Sequence, residues 1–205
     1  MVMKNRKKIL IISLTLLASF TCAAETVTKG MKKVIDDALD FSVKQSMSMF
    51  YEMKDQKGIL PRTAENGKMI TCESAWWTSG FYPGTLWYCY EYSNDPQIRA
   101  AAEEMTSRVE KQKYTTSNHD VGFIINCSFG NGYRLTHNET YRKVIETAAK
   151  SLSTRFHPVT GCTRSWNSKK WQFSVIIDNM MNLELLNVAS SLTGDNTYYN
   201  MAKSH

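Results

Sequence analysis

From Val27 onward, apolar residues recur at helical spacing almost without interruption. Met31, Val34, Ile35, Ala38, Leu39, Phe41 and Val43 begin one long amphipathic segment that runs to Met53, where Gly58 and Pro61 stop it. The same period predicts helices over about 83–93, opened by Pro83, and about 95–112, with Pro96 in its first turn. Further helices are expected over about 118–129, closed by Gly130-Asn131-Gly132, over about 138–155 ahead of Pro158, over about 172–192 closed by Gly194, and from Asp195 onward. No alternating run longer than a few residues reads as a strand. The pattern therefore predicts an all-α chain of paired helices.

A chain of 205 residues, 42% hydrophobic and 21% charged, is long enough for one domain with a real core. Residues 1–24 read as something else. Lys4, Arg6, Lys7 and Lys8 precede the apolar run Ile9 to Phe20, and Cys22-Ala23-Ala24 offers a small-residue cleavage site, the pattern of a secretory signal peptide. Lipid attachment at Cys22 is the other processing route, but Ser19-Phe20-Thr21 matches it poorly. The expectation is an exported, periplasmic protein whose domain occupies 25–205, with no membrane association beyond that lipid. The apolar run is too short to span a bilayer.

Residues 1–24 also hold four basic and no acidic side chains, so the formal charge of the rest falls from +6 to +2. No cluster of Lys and Arg with interleaved aromatics remains, which argues against nucleic acid as a partner. Cys72, Cys89, Cys127 and Cys162 fit no metal-binding spacing and read as small buried hydrophobes, although an exported protein could pair them.

The loops between helices carry the unusual residues: W-W-T-S-G-F-Y-P-G from Trp76, S-N-H-D from Ser117 and G-C-T-R-S-W from Gly161, each just ahead of a helix. If alternate helices are neighbours, these loops meet on one rim. Aromatics, amides and carboxylates gathered on a rim suit a sugar, whose C–H faces stack on rings and whose hydroxyls need polar partners.

Two carboxylates stand out. Asp178 lies in W-Q-F-S-V-I-I-D-N-M-M-N-L-E-L-L, where helical spacing gives it Ser174 and Asn182 as same-face neighbours in an otherwise apolar, hence buried, helix. Desolvation there would raise its pKa and suit it to general acid catalysis; the other reading is a core carboxylate bonded to a helix terminus or an arginine. Asp120 fits the capping box Ser117-Asn118-His119-Asp120, in which it would only bond back to the backbone of Ser117.

W-T-S-G-F-Y-P-G-T-L-W, N-H-D-V-G-F, G-C-T-R-S-W and I-I-D-N-M-M-N-L, in this order, resemble the unsaturated glucuronyl hydrolases, glycoside hydrolase family 88, over a stretch from about Phe41 to the C-terminus. The resemblance implies an (α/α)6 barrel of six helical hairpins. It also implies hydration of the C4=C5 double bond that polysaccharide lyases leave on the non-reducing uronate of glycosaminoglycan oligosaccharides. Carried over, Asp178 is the general acid/base and Asp120 the second catalytic carboxylate, while His119, Trp77 and Trp166 line the sugar subsite. Trp76, Trp87 and Trp171 are expected in the core. The chemistry needs no metal and no cofactor, and the only partner implied is the unsaturated oligosaccharide.

About seven helices lie between Thr28 and His205, and a set of twelve by proportion needs roughly 300 residues, so only the N-terminal half of the barrel, or slightly more, is expected here. The sequence stops inside a helical pattern, and the family's later substrate contacts would lie beyond His205. The polypeptide by itself is accordingly expected to be inactive. Two rivals remain: an unsaturated rhamnogalacturonyl hydrolase acting on pectin-derived sugars, and a non-catalytic exported sugar-binding helical protein.

Overall fold

The computed structural model describes residues 28–205; the signal peptide and the Cys22 lipidation reading lie outside them. They fall into two units, 28–38 and 39–205. The first is the opening stretch of helix α1 (Lys29–Met53), where Lys32 and Lys33 pair with Asp36 and Asp37 one turn on.

The second unit holds the rest of α1, a β-hairpin, and three successive pairs of helices. The hairpin pairs β1 (Ile59–Glu65) with β2 (Lys68–Glu73) in antiparallel register around Asn66-Gly67. Both turn residues have positive φ, 51° and 74°, as a tight two-residue turn requires. No strand was expected here, because five of the seven β1 residues after the first two positions face partly or wholly outward and leave no apolar alternation to read.

The first pair is α2 (Phe81–Ser93) with α3 (Pro96–Ser107), followed by a 3-10 turn at Glu110–Tyr114. In the second, α4 (Val121–Ile125) runs through a π turn, Asn126–Gly130, into α5 (Asn131–Thr136) and returns as α6 (Glu139–Ser153). The third joins α7 (Asn179–Asn182) and α8 (Glu184–Thr193) to α9 (Asn196–Ser204). Short strands β3 (Phe156–His157) and β4 (Cys162–Thr163) lie between the second and third pairs.

Each pair turns on the same two-residue clip. Asn94, His137 and Gly194 end their helices at φ 54°, 53° and 74°, and the next residue, Asp95, Asn138 or Asp195, caps the returning helix by accepting from the N–H of Gln97, Thr140 or Thr197. A hydroxyl from Ser93, Thr136 or Thr193 accepts from the capping residue's own N–H. All three clips thus use a hydroxyl, a left-handed residue and an Asx cap in succession.

The sequence reading differs from the structure in two helices. Gly130-Asn131-Gly132 does not stop the helix that begins near 118; Asn131 Nδ2 donates to the carbonyl of Cys127, and Gly132 lies against the rings of Tyr141 and Trp87. Nor is 172–192 one buried helix. Residues 171–176 are irregular rather than helical, because Ser165 N–H donates to the Ser174 carbonyl at 2.7 Å and Ile176 N–H donates to Ser165 Oγ at 3.0 Å. Ile177, Met180 and Met181 are 86%, 55% and 58% exposed, so the apolar run around Asp178 is not a core segment.

The core is built by α4, α6 and α8, with Ile124, Ile125, Phe129, Ile145, Leu152, Leu185 and Leu186 buried together. A second cluster joins Met53, Leu86, Trp87 and Met105 between α1, α2 and α3, and Trp87 Nε1–H is satisfied by Thr106 Oγ1 at 2.9 Å. Trp76 and Trp171 are exposed, contrary to expectation: Arg62 lies 4.1 Å over the Trp76 ring and Lys170 4.9 Å over that of Trp171. The four described cysteines are free thiols. No described helix is long and apolar enough to cross a membrane.

Candidate active site

Glycine contacts bring three helix starts together. A Cβ on Gly80, just before α2, would overlap the backbone of Ile124 in α4, and one on Gly122, in α4, would overlap the backbone of Asn182 in α7. Helices α2, α4 and α7 therefore touch within their first turns, and the loops ahead of them converge, as the motif positions predicted.

Backbone pairing then ties the loops. Asn118 and Trp166 form an antiparallel bridge, and His119 N–H donates to the Ser165 carbonyl at 2.8 Å. Two fully buried amides lock the third loop in place. Asn179 Nδ2 donates to the Thr163 carbonyl at 2.8 Å and to Ser165 Oγ at 3.2 Å; Asn182 Oδ1 accepts from Phe123 N–H at 2.8 Å and its Nδ2 donates to the Asp178 carbonyl at 3.3 Å. Asn179 and Ser165 went unnoticed in the sequence, since neither is marked by spacing or composition.

The result places His119 Nε2 3.5 Å from a carboxylate oxygen of Asp120 and 3.5 Å from one of Asp178. The imidazole is 1% exposed, whereas the Asp120 and Asp178 side chains are 23% and 33% exposed, so the carboxylates open outward from a buried base. Trp166 stands edge-on to His119 at 6.2 Å. Trp77 lies further along the rim, edge-on to Phe81 at 5.8 Å and tilted against Phe123 at 6.1 Å. Asp178, Asp120, His119 and Trp166 are thus one cluster, whereas Trp77 packs in a separate aromatic group with Phe81 and Phe123.

Both structural explanations of the carboxylates fail. Asp120 makes no side-chain cap and instead donates its N–H to Asn118 Oδ1 at 3.0 Å. Asp178 caps nothing with its side chain, and its one ion-pairing partner among the described residues is His119. Buried polar atoms without a hydrogen-bond partner among the described residues gather beside them: His119 Nδ1, Asp178 Oδ1, Asn179 Oδ1, Thr163 Oγ1 and Ser174 Oγ. Such a group of unsatisfied atoms costs stability and is suited to receive a polar ligand.

The Asp120 carboxyl is held above the usual carboxylate range. Burial raises it first, the His119 and Arg155 charges pull it down, and the Asp178 carboxylate adds to the rise. The folded state accordingly keeps this proton at pH values where the unfolded chain has released it, so stability falls as pH climbs from the ordinary carboxylate range through the raised value. Asp120→Asn removes that fall. Thermal melts should show the variant gaining on the wild type as pH rises above the ordinary carboxylate range, about 4, and the two converging at the acid end.

The nearest donor atoms of His119, Asp120 and Asp178 lie within 4.8 Å of one another. That spacing permits a shared proton or, from one imidazole and two carboxylates, a shared divalent cation. It is well short of the about 6.5–9.5 Å that an inverting glycosidase keeps between its carboxyl groups to admit a water opposite the leaving group.

Consecutive helical hairpins with carboxylates and aromatics gathered at the helix starts define the class of six-hairpin toroidal glycosidases. An unsaturated glucuronyl hydrolase of Formosa agariphila is 46% identical over 132 residues, 63% of this chain and 33% of that protein. The unsaturated chondroitin disaccharide hydrolase of Streptococcus pyogenes serotype M1 is 34% identical over 178 residues, 83% of this chain and 44% of that protein. The crystal structure of an unsaturated glucuronyl hydrolase specific for heparin matches with a TM-score of 0.75 and 38% identity, over 83% of this chain and 47% of that one. No family model matches. The chain spans between a third and just under half the length of these relatives. Over the part it spans, the chain is similar to the unsaturated glucuronyl hydrolases.

Proposed function

We propose that this chain supplies the acid–base half of a family 88 glycoside hydrolase. The enzyme hydrates the C4=C5 bond of the unsaturated uronate at the non-reducing end of lyase-generated glycosaminoglycan oligosaccharides. The convergence of Asp120 and Asp178 on His119 carries the reading, since two carboxylates from separate loops meet on one buried imidazole. Asp178 delivers a proton to C4 and takes one from the water that adds at C5; the hemiketal so formed opens and releases the remaining sugar. Asp120, whose pKa burial raises, orients substrate and water, and the proton belongs to the cluster rather than to one residue. Trp166 and Trp77 give the sugar its stacking surfaces, and the basic, apolar leader of residues 1–24 directs export to the periplasm.

The 205-residue chain alone is expected to leave the substrate unchanged, because it spans under half of the relatives' length. The test joins it to the remaining part of the Formosa relative and follows the ultraviolet absorbance of unsaturated disaccharides from heparin, chondroitin and pectin. Decay on the heparin or chondroitin products is expected. Decay confined to the pectin product would identify a rhamnogalacturonyl hydrolase, and binding without decay a sugar-binding protein.

A further inference from the structure

Outside the triad, Arg99, Arg108, Arg134 and Arg142 each pair with a glutamate and Arg62 lies over the Trp76 ring, whereas Arg155 and Arg164 form neither kind of contact among the described residues. Arg155 is nevertheless 7% exposed. Its Nε and Nη1 donate to the carbonyls of Arg164 and Thr116 at 2.8 and 2.6 Å, and Nη2 reaches Asn167 Oδ1 only at 3.4 Å. Arg164 spends its Nε on the Trp166 carbonyl at 3.1 Å, which leaves its two terminal nitrogens without a partner among the described residues.

Arg155 and Arg164 both line a cavity of about 490 Å³ that has no acidic lining residue. Phe156 and Phe173 supply rings, and Asn167 and Gln172 supply amides. Burial first, and the Arg164 charge second, push the Arg155 pKa down against a lesser pull from Asp120, as expected of a cation without a counter-charge. Paired guanidinium forks with free N–H groups match an oxyanion bonded in bidentate fashion, and rings with amides match the sugar that carries it.

We propose that this cavity is an anion subsite, taking a sulfate or carboxylate group borne by the oligosaccharide whose unsaturated ring lies at the triad. The Asn118–Trp166 bridge and the Arg164–Trp166 hydrogen bond set the subsite next to the rim. The choice of ligand rests on the hydration reading, but the site itself does not.

Titration calorimetry on the chain with sodium sulfate, an unsulfated unsaturated disaccharide and its sulfated counterpart tests it. The sulfated sugar should bind about tenfold more tightly than the unsulfated one, the scale of a charge-assisted hydrogen bond, and sodium sulfate should displace that advantage. In Arg164→Gln the ratio should fall to about one, with partial recovery in Arg164→Lys. If instead both sugars weaken together in Arg164→Gln, the bound group is the uronate carboxylate. Because Arg164 also holds Trp166, Gln172→Leu gives an independent variant, and it should lower the same affinity. Equal affinities in the unaltered protein that none of these changes moves would overturn the subsite. Hydration without any anion preference would defeat only this inference, and anion preference without hydration only the proposed reaction.

Discussion

Asp178→Asn, in the chain joined to the rest of its Formosa relative, is expected to slow hydration by about 10²–10⁴-fold, the usual worth of a positioned general acid. Asparagine keeps the shape of the side chain and loses only the transferable proton. The fold has little at stake in that proton, because the scaffold uses the Asp178 carbonyl, which accepts from Asn182 Nδ2 and from Met181 N–H, and not its carboxylate. Binding of the disaccharide, read by calorimetry, should persist. A variant that binds normally and still consumes the absorbance would remove Asp178 from the chemistry.

Gly122→Ala should produce the largest loss of stability, about 3 kcal/mol, at the upper end for overpacking a close contact. The added methyl would lie 2.6 Å from Asn182 Cα and 2.8 Å from its carbonyl carbon, both backbone atoms that no rotamer change can move aside. Relief requires α4 and α7 to part, and that separation carries His119 and Asp120 away from Asp178. Urea unfolding should report the lost stability, and hydration by the extended protein should fall with it. A variant as stable and as active as the wild type would show that the two helix starts do not need this contact.

The fold was legible where local chemistry decides it. Helices α1, α3, α6 and α9 follow from their period and from Pro96, Asn138 and Asp195 at their starts. Asn66-Gly67 was an available turn signal, but the exposed strands beside it lack the alternation that would have given it weight. The non-helical course of 171–176 was not legible at all. Val175, Ile176 and Ile177 fit a helix as well as a strand, and the choice is made by Ser165 and Ser174, whose pairing depends on a distant loop.

The site divides in the same way. Neither spacing nor periodicity brings Asp120 next to Asp178; only the four linked motifs implied their meeting, and the geometry now supplies its cause in Asn179, Asn182 and Gly122. Burial raises the Asp120 pKa although the sequence marked that residue only as a capping candidate, because burial at the rim depends on how the loops fold over each group. Arg155, which bears electrostatically on Asp120, carries no sequence mark.

The thrice-used turn has an architectural corollary. Since Ser93-Asn94-Asp95, Thr136-His137-Asn138 and Thr193-Gly194-Asp195 return the chain by the same bonds, length cannot be added there without breaking a cap and a left-handed stop together. Added length should therefore be tolerated better at the opposite end of each pair, where residues 115–120 and 154–178 already hold the triad and the arginine-lined cavity. A ring assembled this way keeps one edge constant and lets the other edge evolve new preferences.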